Sequence, residues 1–137
     1  MTSTPPVPTI LSLTALRVTD LAKSAEFYTT GCGFVEENSF STDTFAAMIL
    51  RAGSAGVELI MPHVDALPPD HGSMFVKLVL NTENVAGLMA AACEHGGTEE
   101  MPATTSERFG GRTIGKVFDP DGYLIEVVSS PARLHAH

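Results

Sequence analysis

The stretch KVFDPDGYLIEVV, residues 116–128, decides how the chain is read. Asp119-Pro120-Asp121-Gly122 carries proline at its second position and reads as a tight turn. Branched and aromatic residues on both sides make the whole stretch a β-hairpin. Side chains alternate along a strand, so Leu124, Glu126 and Val128 share one face while Tyr123, Ile125 and Val127 share the other. Glu126 thus sits mid-strand among apolar neighbours. A carboxylate there must face water, bind a cation, pair with a base, or take up a proton, because an unpaired buried charge is costly.

Working outward, the same order of elements occurs twice. In the second half, SMFVKLVLN (73–81) is a strand and ENVAGLMAAACEHGG (83–97) a helix closed by Gly96 and Gly97. TEEMP (98–102) is a short strand and ATTSERFGG (103–111) a loop before the hairpin. In the first half, ILSLTALRV (10–18) is a strand. The helix that follows has Thr19 or Asp20 as its N-cap and stops at Gly31 and Gly33. A strand is expected at 33–38, then a hairpin in TFAAMILRAGSAGVELIMP (44–62) around a glycine turn at 53–56. The chain therefore reads as βαβββ twice: a first module over 10–62, a polar proline-rich linker over 63–72, and a second module over 73–130. Residues 1–9 and 131–137 read as tails, the latter holding His135 and His137.

The duplication has a register. Gly33 and Gly97 end the two helices 64 positions apart (97 minus 33), whereas Glu58 and Glu126 are 68 apart (126 minus 58). One longer loop in the second half accounts for the difference. Each glutamate lies in the last strand of its module, Glu58 between Val57 and Leu59. A single such residue reads most simply as the polar face of a half-solvated sheet. Two at matching places in a repeat point to a cleft between paired modules.

Bulk properties narrow the classes. The 137 residues suit one domain, and 44% hydrophobic with 18% charged is ordinary for a globular protein. A formal net charge of -8 argues against nucleic acid and anionic membrane surfaces as partners. No apolar run is long enough for a membrane span, and MTSTPPVPT has no signal-peptide pattern. Cys32 and Cys93 have no metal or redox spacing and read as buried or half-buried free thiols of a reducing cytoplasm.

ALRVTDLAKSAEFYTTGCGF (15–34) and FDPDGYLIEVV (118–128), with GVELI (56–60) and KLVLNTENVAGLMAAACEHGG (77–97) between them, carry a resemblance. Over about residues 10–129 the chain resembles the vicinal oxygen chelate superfamily. That superfamily holds glyoxalase I, extradiol dioxygenases, fosfomycin- and bleomycin-resistance proteins and methylmalonyl-CoA epimerase. The resemblance implies an α+β fold of two paired βαβββ modules forming a cleft, and a homodimer. Metal-dependent members take one ligand from the first and one from the last strand of each module. The last-strand positions fall on Glu58 and Glu126, the first-strand positions on Leu13 and Lys77.

Leucine cannot ligate, and an ammonium has no lone pair to give. Zinc, nickel, manganese or iron would keep only two carboxylates, so the usual divalent metal is disfavoured and no cofactor is expected. His71 is an alternative third ligand beside Glu58 and Glu126. The expected chemistry is proton transfer next to a carbonyl, by a glyoxalase-like lyase or isomerase acting on a small molecule. Glu126 would be the base, supported by Glu58 and Lys77. Substrate contacts fall on Leu13, on Arg17, whose counterpart in glyoxalase I-like proteins helps bind a carboxylate, and on Arg112 in a loop over the cleft. The alternative is a bleomycin-resistance-type protein that binds a drug or metabolite without turnover. An extradiol dioxygenase is disfavoured because iron needs the missing histidines.

Overall fold

The structure is a computed structural model, and it describes residues 5–65 and 67–129. The 131–137 tail with His135 and His137, and the first four residues of the 1–9 tail, lie outside the described residues.

Each half makes one four-stranded sheet. Strands β1 (Thr14–Arg17), β2 (Val35–Ser41), β3 (Phe45–Ala52) and β4 (Ala55–Pro62) are ordered β1-β4-β3-β2. Strands β5 (Leu78–Asn81), β6 (Thr98–Thr105), β7 (Thr113–Phe118) and β8 (Leu124–Val128) repeat that order as β5-β8-β7-β6. The first strand of each sheet runs parallel to the last and the other pairs are antiparallel. A parallel pair needs a crossover, and a helix supplies it in each module. The longer loop of the second half is residues 106–112, which carry a 3-10 turn, against residues 42–44 in the first.

Helix α1 (Leu21–Glu26) begins where the Asp20 carboxylate accepts from the Lys23 N–H at 3.1 Å. It widens into a π-helical turn over Phe27–Gly31. Helix α2 (Val85–Glu94) begins where Asn84 accepts from the Gly87 N–H at 2.9 Å. The two helical segments touch closely: a Cβ on Gly31 would stand 3.1 Å from the Ala92 Cα, so only glycine fits without a shift. α1 packs on β3 and β4, and α2 packs on β6, β7 and β8. Leu16, Leu50, Val57 and Leu59 of one sheet, Val18 just past β1, and Val117, Ile125 and Val127 of the other sheet join the helices in one core. Glu58 and Glu126 alternate onto the faces that turn away from that core.

Several boundaries differ from the sequence reading. β1 and β5 form only four residues each, not 10–18 and 73–81. Their parallel partners β4 and β8 begin just after hairpin turns, so by register Ile10 and Leu11 fall beyond the start of β4, and Met74 and Val76 beyond the start of β8. Ile10, Leu11, Met74 and Val76 are exposed as a result. The strand expected at 33–38 runs Val35–Ser41, and the one at 98–102 extends to Thr105. β2 carries a bulge between Glu36 and Asn38, and β6 carries two, between Glu99 and Thr104. Cys93 is exposed rather than buried, on the solvent side of α2.

The hairpin turn locks the modules together. Asp119 is 3% exposed; its Oδ2 accepts from the Tyr28 hydroxyl at 2.7 Å and its Oδ1 from the Asp121 and Tyr123 N–H groups at 2.9 Å each. Asp121 accepts from the Thr19 hydroxyl at 2.7 Å, and the Tyr123 hydroxyl donates to the Arg17 carbonyl at 2.8 Å. Burial raises the Asp119 pKa above the ordinary 3.8, and the hydrogen bonds from Tyr28 and the two N–H groups offset this only in part. The folded state thus binds the proton more tightly than the unfolded state. Stability from this group is complete below the ordinary value and is lost as pH rises through the raised one. We expect Asp119→Ala to cost about 3 kcal/mol by leaving buried donors unpaired. Asp119→Asn, which keeps Oδ1 and can donate to Tyr28, should cost less. Urea denaturation at falling pH should show wild type gaining on Asp119→Asn as the carboxylate takes its proton.

Candidate functional site

The outer face of the second sheet carries the densest chemistry. Glu126 Oε1 meets Lys77 Nζ at 2.7 Å, with the carboxylate side chain 15% and the lysine side chain 34% exposed. The strand ladder explains the contact. Val79 lies beside Glu126 across the parallel β5–β8 pair, and Lys77, two residues earlier, points to the same face. On the other side, Lys116 of β7 lies directly opposite Glu126 in the antiparallel pair. Opposed residues bring their Cβ atoms to about 5 Å. Lys116 is half-buried and has no hydrogen bond or ion pair among the described residues.

The first module repeats the backbone and not the chemistry. Glu58 lies beside Ala15 of β1 and opposite Ile49 of β3. Leu13, two residues before Ala15, holds the place that Lys77 holds in the second module. Glu58 is half-buried and makes no ion pair among the described residues. It is not brought into contact with Glu126 or Lys77 within the chain, since each glutamate faces away from the shared core.

A groove of about 810 Å³ runs along the edge of β5 beside this face. Phe34, Val57, Leu80 and Leu88 form apolar walls, and Lys77 and Val79 form the rim toward Glu126. Arg17 points elsewhere: its guanidinium donates to the Leu67 carbonyl at 2.5 Å and the Pro68 carbonyl at 3.1 Å, and so ties down the linker. Arg112 is exposed in the 106–112 loop, with no side-chain partner among the described residues. His71 Nε2 lies 2.9 Å from the Asp121 carbonyl, with its ring edge-on to Tyr123. This placement separates His71 from Glu58 and Glu126. Among the described residues, no three His, Cys, Asp or Glu side chains gather as metal ligands. The donor chemistry does not fit a divalent transition metal either: Lys77 occupies Glu126 with its own charge, and Leu13 offers nothing.

With this geometry in view, comparison with known proteins places the chain. The model of the Glyoxalase/Bleomycin resistance protein/Dioxygenase superfamily matches residues 10–127. The chain belongs to that superfamily. Among solved structures, the trypanothione-dependent glyoxalase I of Leishmania major aligns with TM-score 0.77 and 23% identity, covering 94% of this chain and 92% of that one. Glyoxalase I from Zea mays aligns with TM-score 0.76 and 22% identity over 86% of this chain, which spans only 43% of the maize enzyme. A glyoxalase-related enzyme from Fulvimarina pelagi aligns with TM-score 0.65 and 26% identity, covering 90% of each chain. No curated protein matches. No helix among the described residues is long and apolar enough to cross a membrane.

The sequence reading overlooked Lys116. The signal was present, since a hairpin turn at 119–122 sets Lys116 across from Glu126 by register alone. The Lys77–Glu126 pair is partly screened by water, so its coupling should be about 1 kcal/mol or less. A double-mutant cycle with Lys77→Met and Glu126→Gln should show that coupling in urea melts and should show it shrinking in high salt. Coupling of zero at low salt would mean the contact contributes nothing in solution.

Proposed function

We propose that this chain is a glyoxalase-like lyase or isomerase that moves a proton next to the carbonyl of a small molecule, without the divalent metal used elsewhere in its superfamily. The observation that carries the reading is Glu126: a carboxylate on a sheet face beside an open groove, with Oε1 held by Lys77 at 2.7 Å. Lys77 fixes the carboxylate in place, and Oε2, which has no partner among the described residues, is the oxygen to take a proton. The ammonium adds positive charge where a developing enolate needs it.

The superfamily places a second carboxylate in the same cleft, and one chain does not supply it. We therefore propose a homodimer in which Glu58 of one protomer faces Glu126 of its partner. The exposed apolar side chains on these outer faces support this, among them Val35 and Val79 at 67% and 55% exposure. A second reading, a binding protein of bleomycin-resistance type, draws on the groove itself, whose walls are mostly apolar. It predicts ligand binding with no product.

Glu126→Gln should lower solvent-deuterium exchange at the carbon next to the substrate carbonyl by about 100-fold or more, with ligand binding largely kept. Unchanged exchange in that variant would sink the catalytic assignment. Elemental analysis after incubation with nickel, zinc, manganese and ferrous iron should find substoichiometric metal. One retained metal per chain would mean that ligands other than Leu13 and Lys77 complete the site. Light scattering should give twice the 14.5 kDa chain mass.

A further inference from the structure

We propose that the outer face of the second module is an anion site in which Lys116 binds a carboxylate of the ligand. The substrate is then a small α-keto acid rather than a neutral aldehyde or ketone. This inference rests on the proton-transfer reading of Glu126 and adds the class of molecule on which it acts.

The argument begins with charge. Lys77, Glu126 and Lys116 form a row across β5, β8 and β7 on one face, and two ammoniums with one carboxylate leave a net +1. The whole chain has a net charge of -8, so a row with a net positive charge runs against its overall balance. The equivalent row of the first module is Leu13, Glu58 and Ile49, with a net -1. The duplicated backbone therefore carries a lysine on each side of one glutamate and an aliphatic on each side of the other.

The two lysines are not equivalent. The Lys77 ammonium is already engaged by Glu126 at 2.7 Å. Lys116 is half-buried in mid-strand, and its ammonium has no hydrogen bond or ion pair among the described residues. Lys116 shares the Glu126 carboxylate opposite it with Lys77, and a ligand carboxylate supplies the second negative charge that the row lacks. Other cations of the outer faces are committed: Arg17 to the linker carbonyls and Arg51 to Glu37 at 3.1 Å. With a ligand carboxylate on Lys116, the two ammoniums balance Glu126 and the ligand. The carbonyl-bearing end then lies beside Glu126 Oε2.

The chain has only three lysines, Lys23, Lys77 and Lys116, which makes a direct test practical. Reductive methylation with carbon-13 formaldehyde labels each, and lysine variants assign the NMR signals. Titration with pyruvate, and with longer α-keto acids, should move the Lys116 signal; hydroxyacetone, the neutral counterpart of pyruvate, should not. Lys116→Met should weaken α-keto acid binding about tenfold or more, and Lys116→Arg should keep most of it. Equal responses to pyruvate and hydroxyacetone, a silent Lys116 signal across the acid series, or undiminished binding in Lys116→Met would each overturn the proposal. Deuterium exchange separates it from the reading beneath it. Binding of the acids through Lys116 with no exchange upholds the anion site and removes the proton-transfer role. Exchange that is as fast with hydroxyacetone as with pyruvate keeps that role and removes the anion site.

Discussion

The buried carboxylate of Asp119 is the constraint on which the molecule depends. It sits in the turn of the second module's hairpin and takes the hydroxyl of Tyr28, which belongs to the first module's helical segment. The same carboxylate closes its own turn through two backbone N–H groups. One residue thus fixes both the register of β7 against β8 and the seating of one module on the other. Register places Lys116 opposite Glu126, and seating turns the glutamate face away from the core. Burial also acts on the nearby Cys32, whose thiol is pushed up to about 12 by desolvation and then by the Asp119 charge, which disfavours the thiolate.

Much of the fold was legible because it rests on local signals. The turn residues at 119–122, the helix-ending glycines and period-two alternation around Glu58 and Glu126 report directly on backbone geometry. The βαβββ repeat and its module limits follow from them. Strand lengths were not legible, because the length of β1 or β5 is set by where its partner ends and not by its own residues. Ile10 and Leu11 look like strand and are left outside by a turn forty residues on. Cys93 failed for a similar reason: α2 is apolar on more sides than it buries.

Of the candidate site, the residue types and faces were visible in the sequence and their partners were not. Arg17 faces outward as its strand position implies, yet the linker reaches its guanidinium first. His71, six residues before Lys77, is drawn to the hairpin turn by Tyr123 and the Asp121 carbonyl. Both outcomes depend on where a proline-rich connection runs, which no period in the sequence encodes. The two modules illustrate how a repeat diverges: the same ladder positions hold aliphatics in one and ammoniums in the other, so backbone symmetry coexists with opposite local charge.

The bulges in β2 and β6 have a consequence for the molecule's behaviour in crowded solution. These strands are the far edges of their sheets, and each offers a row of backbone groups to any passing strand. The bulge in β2 falls beside Glu36-Glu37 and the first bulge in β6 beside Glu99-Glu100. A kinked edge bearing charged side chains is a poor template, because an incoming copy would meet a broken ladder and, at β6 above all, its own negative charge. Each sheet's long free edge thus resists lateral aggregation.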